Sequence, residues 1–270
     1  MNRSVPLSRT LSLPSPMTFP VYLEAASLRL HPHLLFEGLG YFLGARLYFI
    51  LRRRSGETAL PLETNLWLLV GCIFGAWAGS KLLAWAESPA FYWPLRHDPA
   101  ALLGGKTIVG GLLGGWAGIE LAKKILGLTR STGDLFVYPL ALGTAIGRLG
   151  CFFTGLSDHT YGIATSLPWG VDFGDGLSRH PTQLYESIFV LTLAALLHFG
   201  LCRRILPPGA RFRLYFAGYF AFRFAIEFIK PRETPLLGLS AIQLASLLGA
   251  TLALTSLRRL APRPIENQKS

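Results

Sequence analysis

Arg148 stands in the run Gly147-Arg148-Leu149-Gly150, inside a long apolar stretch, with no acidic residue one or two helical turns away along the chain. A charge in hydrocarbon costs at least about 2.5–3.5 kcal/mol on insertion scales, so it demands a partner. A guanidinium with no local carboxylate calls for an anion, and its planar fork donates two parallel hydrogen bonds to a phosphate. Lipid phosphate is the abundant anion of a membrane. The string Ser178-Arg179-His180-Pro181-Thr182-Gln183-Leu184-Tyr185-Glu186-Ser187 gathers more polar groups around its proline than a helix start requires. Histidine is the side chain whose ordinary pKa suits proton transfer near neutrality. Arg223 and Glu227 lie four apart, followed by Lys230 and Arg232. That spacing fits an ion pair on one helix face or a second grip on an anion.

The elements that must position these groups follow from composition. Of 270 residues, 51% are apolar and 15% charged, where an ordinary soluble domain carries about 25% charged residues. Disorder is excluded by the apolar excess, and a disulfide scaffold by three dispersed cysteines, Cys72, Cys151 and Cys202. The net charge of +11 does not indicate nucleic acid, because the basic residues form short clusters between apolar runs. Seven stretches, near 33–51, 65–86, 105–127, 135–155, 183–201, 213–229 and 237–257, are long enough to cross a bilayer. The sequence therefore predicts an all-α polytopic membrane protein, a bundle of seven transmembrane helices over 33–258. Residues 1–32 read as a tail or interfacial segment and 259–270 as a polar tail. Basic clusters at Arg52-Arg53-Arg54, Lys123-Lys124, Arg203-Arg204 and Arg258-Arg259 share one side; this predicts the amino terminus outside and the carboxy terminus cytoplasmic. In that orientation Glu37, Lys81, Arg148, His180, Glu186, Arg223 and Glu227 all fall towards the outer leaflet. Glycines repeat every four positions at Gly71, Gly75, Gly79 and at Gly110, Gly114, Gly118, a pattern that lets two helix backbones approach closely.

These motifs resemble those of the prolipoprotein diacylglyceryl transferase family. The resemblance runs from about Gly38 to Leu247. It rests on GRLGCFFTG from Gly147 to Gly155, RHPTQLYE from Arg179 to Glu186, the spacing Tyr219, Arg223, Glu227, the run Gly110-Gly111-Leu112-Leu113-Gly114, and Gln243-Leu244. It implies a seven-helix enzyme of the bacterial cytoplasmic (inner) membrane, working towards the outer leaflet without metal or cofactor. Such an enzyme moves the diacylglyceryl group of phosphatidylglycerol to the lipobox cysteine thiol of a preprolipoprotein signal peptide, releasing glycerol phosphate. Its partners are those two substrates and membrane lipid, with no nucleic acid. The resemblance gives Arg148 a catalytic, phosphate-binding role, with help from Arg223 and from Lys230 or Arg232. It puts further substrate contacts at Gly110, Gly111, Gln183 and Tyr185. The leaving phosphate must be held as charge develops, and the acceptor thiol must lose its proton to react. Cys151 is not read as a nucleophile, because the family's reacting thiol belongs to the substrate.

The chain departs from the family pattern at several polar positions. Val109 stands where the family has a histidine before the Gly-Gly pair, and Glu37 where it has a tyrosine before a glycine. Thr154 replaces an asparagine, and Lys230 an arginine; a lysine holds phosphate as a point charge, without the fork. With the histidine absent, Glu37, Glu227 and His180 are the candidate bases. Two other readings keep the scaffold: a related transferase with a different lipid or acceptor, and a non-catalytic phospholipid-binding homologue. A transporter would need charges spread through the midplane and inverted repeats, and the sequence has neither.

Overall fold

Prolines gather where the apolar runs begin, and the helices start there. The computed structural model describes residues 19–25, 28–56, 58, 60–200, 206–231 and 238–260. Within them lie α1 (Pro32–Arg54), α2 (Leu62–Glu87), α3 (Pro89–Tyr92), α4 (Pro99–Gly104), α5 (Ile108–Ile125), α6 (Val137–Thr154), α7 (Thr182–Ala195), α8 (Ala210–Ile226) and α9 (Ala241–Arg258). Pro32, Pro89 and Pro99 occupy first turns, where a missing N–H leaves no bond unmade. α6 stops at Gly155, whose φ of +72° favours glycine. α9 opens on a capping box between Ser240 and Gln243. The fold is mostly helical, and five of its helical segments are long and apolar enough to cross a membrane: α1, α2, Asp134–Asp158, Thr182–Gly200 and α9. α5 and α8 are of 18 and 17 residues, with three charged residues each.

The segment read as a tail or interfacial segment holds structure next to α1. Strands β1 (Leu23–Ala25) and β2 (Leu28–Leu30) pair antiparallel, as their alternation of apolar and charged residues suits. Phe19 packs edge-on against Phe152 and Phe173. A second ribbon, β3 (Val171–Asp172) with β4 (Ser178–Arg179), lies in the loop between α6 and α7.

The glycine repeats do what their spacing predicts. A Cβ on Gly75 would stand 2.2 Å from the Gly114 carbonyl oxygen, and one on Gly118 only 2.0 Å from that of Gly71. α2 and α5 thus touch backbone to backbone. α1 meets α6 in a looser version, at Gly40 and Gly143. α8 lies at the centre, with Tyr215, Phe216, Tyr219 and Phe220 all buried. One end of the bundle gathers the starts of α1, α5, α7 and α9 with the ends of α2, α6 and α8. There Glu87 accepts from Ile242 N (2.9 Å), Glu186 pairs with Arg223, and His33 lies against Gly150.

Candidate active site

The centre of that end is Glu186, not Arg148. The Glu186 carboxylate is 2% exposed. Its Oε1 accepts from the Tyr219 hydroxyl at 2.7 Å. Its Oε2 accepts from Arg223 Nη1 at 2.9 Å and lies 2.9 Å from Arg148 Nε. Arg223 Nη2 also donates to Glu227 Oε2 at 3.0 Å, so the pair expected from their spacing forms. α6 and α7 are registered beside this group by Ser187, whose hydroxyl donates to Ala145 O at 3.1 Å. Arg148 has no carboxylate near it along its own helix, as its run implies, but one reaches it across the bundle. Glu186 comes from a different helix, and a search along one helix cannot see it.

The pairing leaves part of Arg148 uncommitted. Glu186 meets it at Nε, with the N–H not aimed at the oxygen. Among the described residues, no carboxylate reaches its Nη edge, where Nη1 lies 3.9 Å from Cys151 Sγ. Cys151 Sγ lies another 3.9 Å from His33 Nδ1. That nitrogen is 3.1 Å from Asp158 Oδ1, while Thr160 donates to Asp158 Oδ2 at 2.5 Å. On the far side of the ring, Nε2 faces Glu37 Oε2 and Lys106 Nζ, each at 3.4 Å. His33, Lys106, Ser157 and Asp158 line a cleft of about 390 Å³. Contacts therefore step from the buried Glu186 through Arg148, Cys151 and His33 to an open cleft. His33, Cys151 and Asp158 bring possible ligand atoms within 4.8 Å of one another, but two cations flank them, Arg148 and Lys106, and disfavour a metal ion there.

The other expected site residues are distributed unevenly. Glu37 joins the cleft group and accepts from Tyr41 (3.0 Å). Glu227 is buried and bonded to Arg223. His180 stands apart: its Nδ1 is 3.2 Å from the Tyr185 hydroxyl, which accepts from Trp169 at 2.7 Å. The backbone of His180 joins Ile163, which in turn bonds Ile229 O at the end of α8. Arg179 is committed to Asp175 through bonds of 3.0 and 2.6 Å, which hold that carboxyl below the usual carboxylate range. Lys230 follows α8, and burial chiefly, with the Arg223 guanidinium, pushes it down to about 8. Gln183 is 1% exposed, and neither end of its side-chain amide has a partner among the described residues. Gly110 packs on Gly79 and lines a shallow apolar groove with Leu83, Leu113 and Ala245; Gly111 has more room. Val109 is fully buried in the apolar core, so that position offers no proton acceptor. Arg232 lies outside the described residues.

A family model described as prolipoprotein diacylglyceryl transferase matches residues 20–258. The chain belongs to the prolipoprotein diacylglyceryl transferase family. A phosphatidylglycerol–prolipoprotein diacylglyceryl transferase of Geobacter sulfurreducens is 35% identical, covering 91% of this chain and 100% of that protein. One from Bordetella parapertussis is 34% identical over 85% of this chain and 88% of its own. A second such transferase of Streptomyces coelicolor is 30% identical over 82% and 72% respectively. The match spans both the Glu186 network and the cleft group. Sequence reasoning missed His33, Asp158 and Lys106 as members of the site. The signal available for the first was its i,i+4 spacing from Glu37 on one helix face.

Proposed function

We propose that this chain transfers the diacylglyceryl group of phosphatidylglycerol to the lipobox cysteine thiol of a preprolipoprotein, releasing glycerol phosphate. The observation that carries the reading is the uncommitted Nη edge of Arg148, fixed by Glu186 between a buried ion network and a polar cleft. Arg148 binds the headgroup phosphate and offsets the charge that grows as the carbon–oxygen bond breaks. Arg223 adds positive field from within the network, and Lys230 supplies a point charge at its rim, where Arg232 follows in sequence. Gln183 and Tyr185 offer polar contacts to the headgroup glycerol. Gly110 lines an apolar groove suited to acyl chains, and Gly111 follows it on α5.

In this reading all seven long helices cross a bacterial cytoplasmic membrane, the amino terminus outside and the carboxy terminus inside. The basic clusters at one end and the polar site at the other support that orientation. The test is expression in cells depleted of their own transferase. Thioether-modified lipoproteins should appear, and unmodified substrate beside folded, inserted protein would refute the proposal. Arg148→Lys should lower the rate about 10²–10³-fold with folding intact, because lysine keeps charge without the fork; full activity would demote Arg148 to a general source of positive field. Mass analysis of the lipid product would reveal a different lipid or acceptor.

A further inference from the structure

The transferase reading needs a group to take the acceptor thiol's proton; of the candidate bases Glu37, Glu227 and His180, Glu37 alone joins the cleft group, where its Oε2 lies 3.4 Å from His33 Nε2. Val109 cannot act. Glu227 is buried and bonded to Arg223, and His180 meets Tyr185 through Nδ1, outside the group that links Arg148 to the cleft. We propose that His33, oriented by Asp158, is the base that accepts the proton of the acceptor thiol. This assignment rests on the transferase reading.

Asp158 Oδ1 lies 3.1 Å from His33 Nδ1 and is itself fixed through its other oxygen by Thr160. A carboxylate at Nδ1 holds the proton there, so that the neutral ring carries its lone pair on Nε2, at the opposite side. That side faces the cleft, whose walls His33 and Asp158 help to form, with Lys106 Nζ and the partly exposed Glu37 Oε2 each 3.4 Å from Nε2. Lys106 is an exposed side chain that an incoming acceptor can displace. Cys151 Sγ, 3.9 Å from both the His33 ring and the Arg148 guanidinium, sets the proton acceptor one residue away from the phosphate grip. The thiol S–H proton passes to Nε2, and the sulfur lone pair forms the bond to the glyceryl carbon. The carbon–oxygen bond breaks with its electron pair leaving on the phosphate oxygen beside Arg148. The imidazolium then returns its proton to the departing glycerol phosphate or to water. Asp158 acts as a positioning residue.

The test uses the full chain in phosphatidylglycerol vesicles with a synthetic lipobox peptide, carrying either cysteine or selenocysteine. A selenol is ionised at neutral pH and needs no base. With the cysteine peptide, His33→Gln should lower turnover about 10²–10⁴-fold while binding of phosphatidylglycerol changes less than about twofold. With the selenocysteine peptide, the gap between wild type and His33→Gln should nearly close, whereas the Arg148→Lys deficit should persist. The acid limb of the wild-type pH–rate profile should vanish in His33→Gln and move in Asp158→Asn. Glu37, Lys106, Asp158, Cys151 and, through Cys151, Arg148 are the groups facing this ring, so Glu37→Gln is measured alongside. Equal losses with both peptides, an unchanged acid limb, a larger thiol-specific loss in Glu37→Gln, or a stoichiometric metal held by the purified protein would overturn the assignment. A wild type that makes no product from either peptide would instead sink the transferase reading, and the assignment with it.

Discussion

Around Glu186 the charges are buried and satisfy one another across three helices, whereas around His33 the groups are partly exposed and meet at the edge of a cleft. Arg148, Arg223 and Glu186 are each less than a tenth exposed; Lys106 and Glu37 side chains are 61% and 34% exposed. The two groups lie a few ångströms apart, joined through Cys151. Their difference is one of access. A buried network fixes geometry and is costly to disturb, because removing one partner strands a charge. A half-open group costs little to disturb but can exchange protons and meet a substrate. A lipid transferase needs both: a rigid grip for the anion and a wet edge where the acceptor arrives.

The contrast breaks most sharply at Glu186. Glu186→Gln leaves two buried arginines short of a carboxylate and should destabilise the protein by about 3–5 kcal/mol, read as a large fall in the midpoint of thermal unfolding in detergent. Retained stability would mean that the network is wetter than its burial implies. A smaller effect belongs to Lys230. Held at about 8, it loses its charge as pH rises through that value, while a phosphodiester remains anionic. Affinity for phosphatidylglycerol should therefore weaken roughly threefold above that pH, on the scale of a partly exposed ion pair. In Lys230→Arg the affinity should stay flat over the same range, and titration calorimetry checks both. The smallest effect is expected at the open group: Lys106→Met should shift stability by no more than about 0.5 kcal/mol. If it destabilised as much as Glu186→Gln, the division between sealed and open regions would fail.

Much of this arrangement could be read from the sequence. Hydropathy and helix length place the long helices to within a few residues, and the alternation of those helices brings the intramembrane charges to one end. The glycine repeats announce the α2–α5 contact because a four-residue step marks one helix face. Arg148's partner was not legible. Its nearest carboxylate lies on another helix, and the sequence shows only neighbours three or four positions apart. His33 and Asp158 escaped for a related reason: one precedes an apolar run and the other follows one, so each looks like an ordinary polar boundary residue. The short strands beside α1 were hidden because three-residue segments carry too little period to stand out from a tail.

The glycine seam between α2 and α5 has a mechanical corollary. Carbonyl oxygens there rest where methyl groups would otherwise be, so the joint contains no rotamers that could swing aside. It behaves as a fixed wall, closed or torn but never ajar. An acyl tail therefore cannot pass between α2 and α5, and the apolar groove beside Gly110 can receive one only along its outer surface.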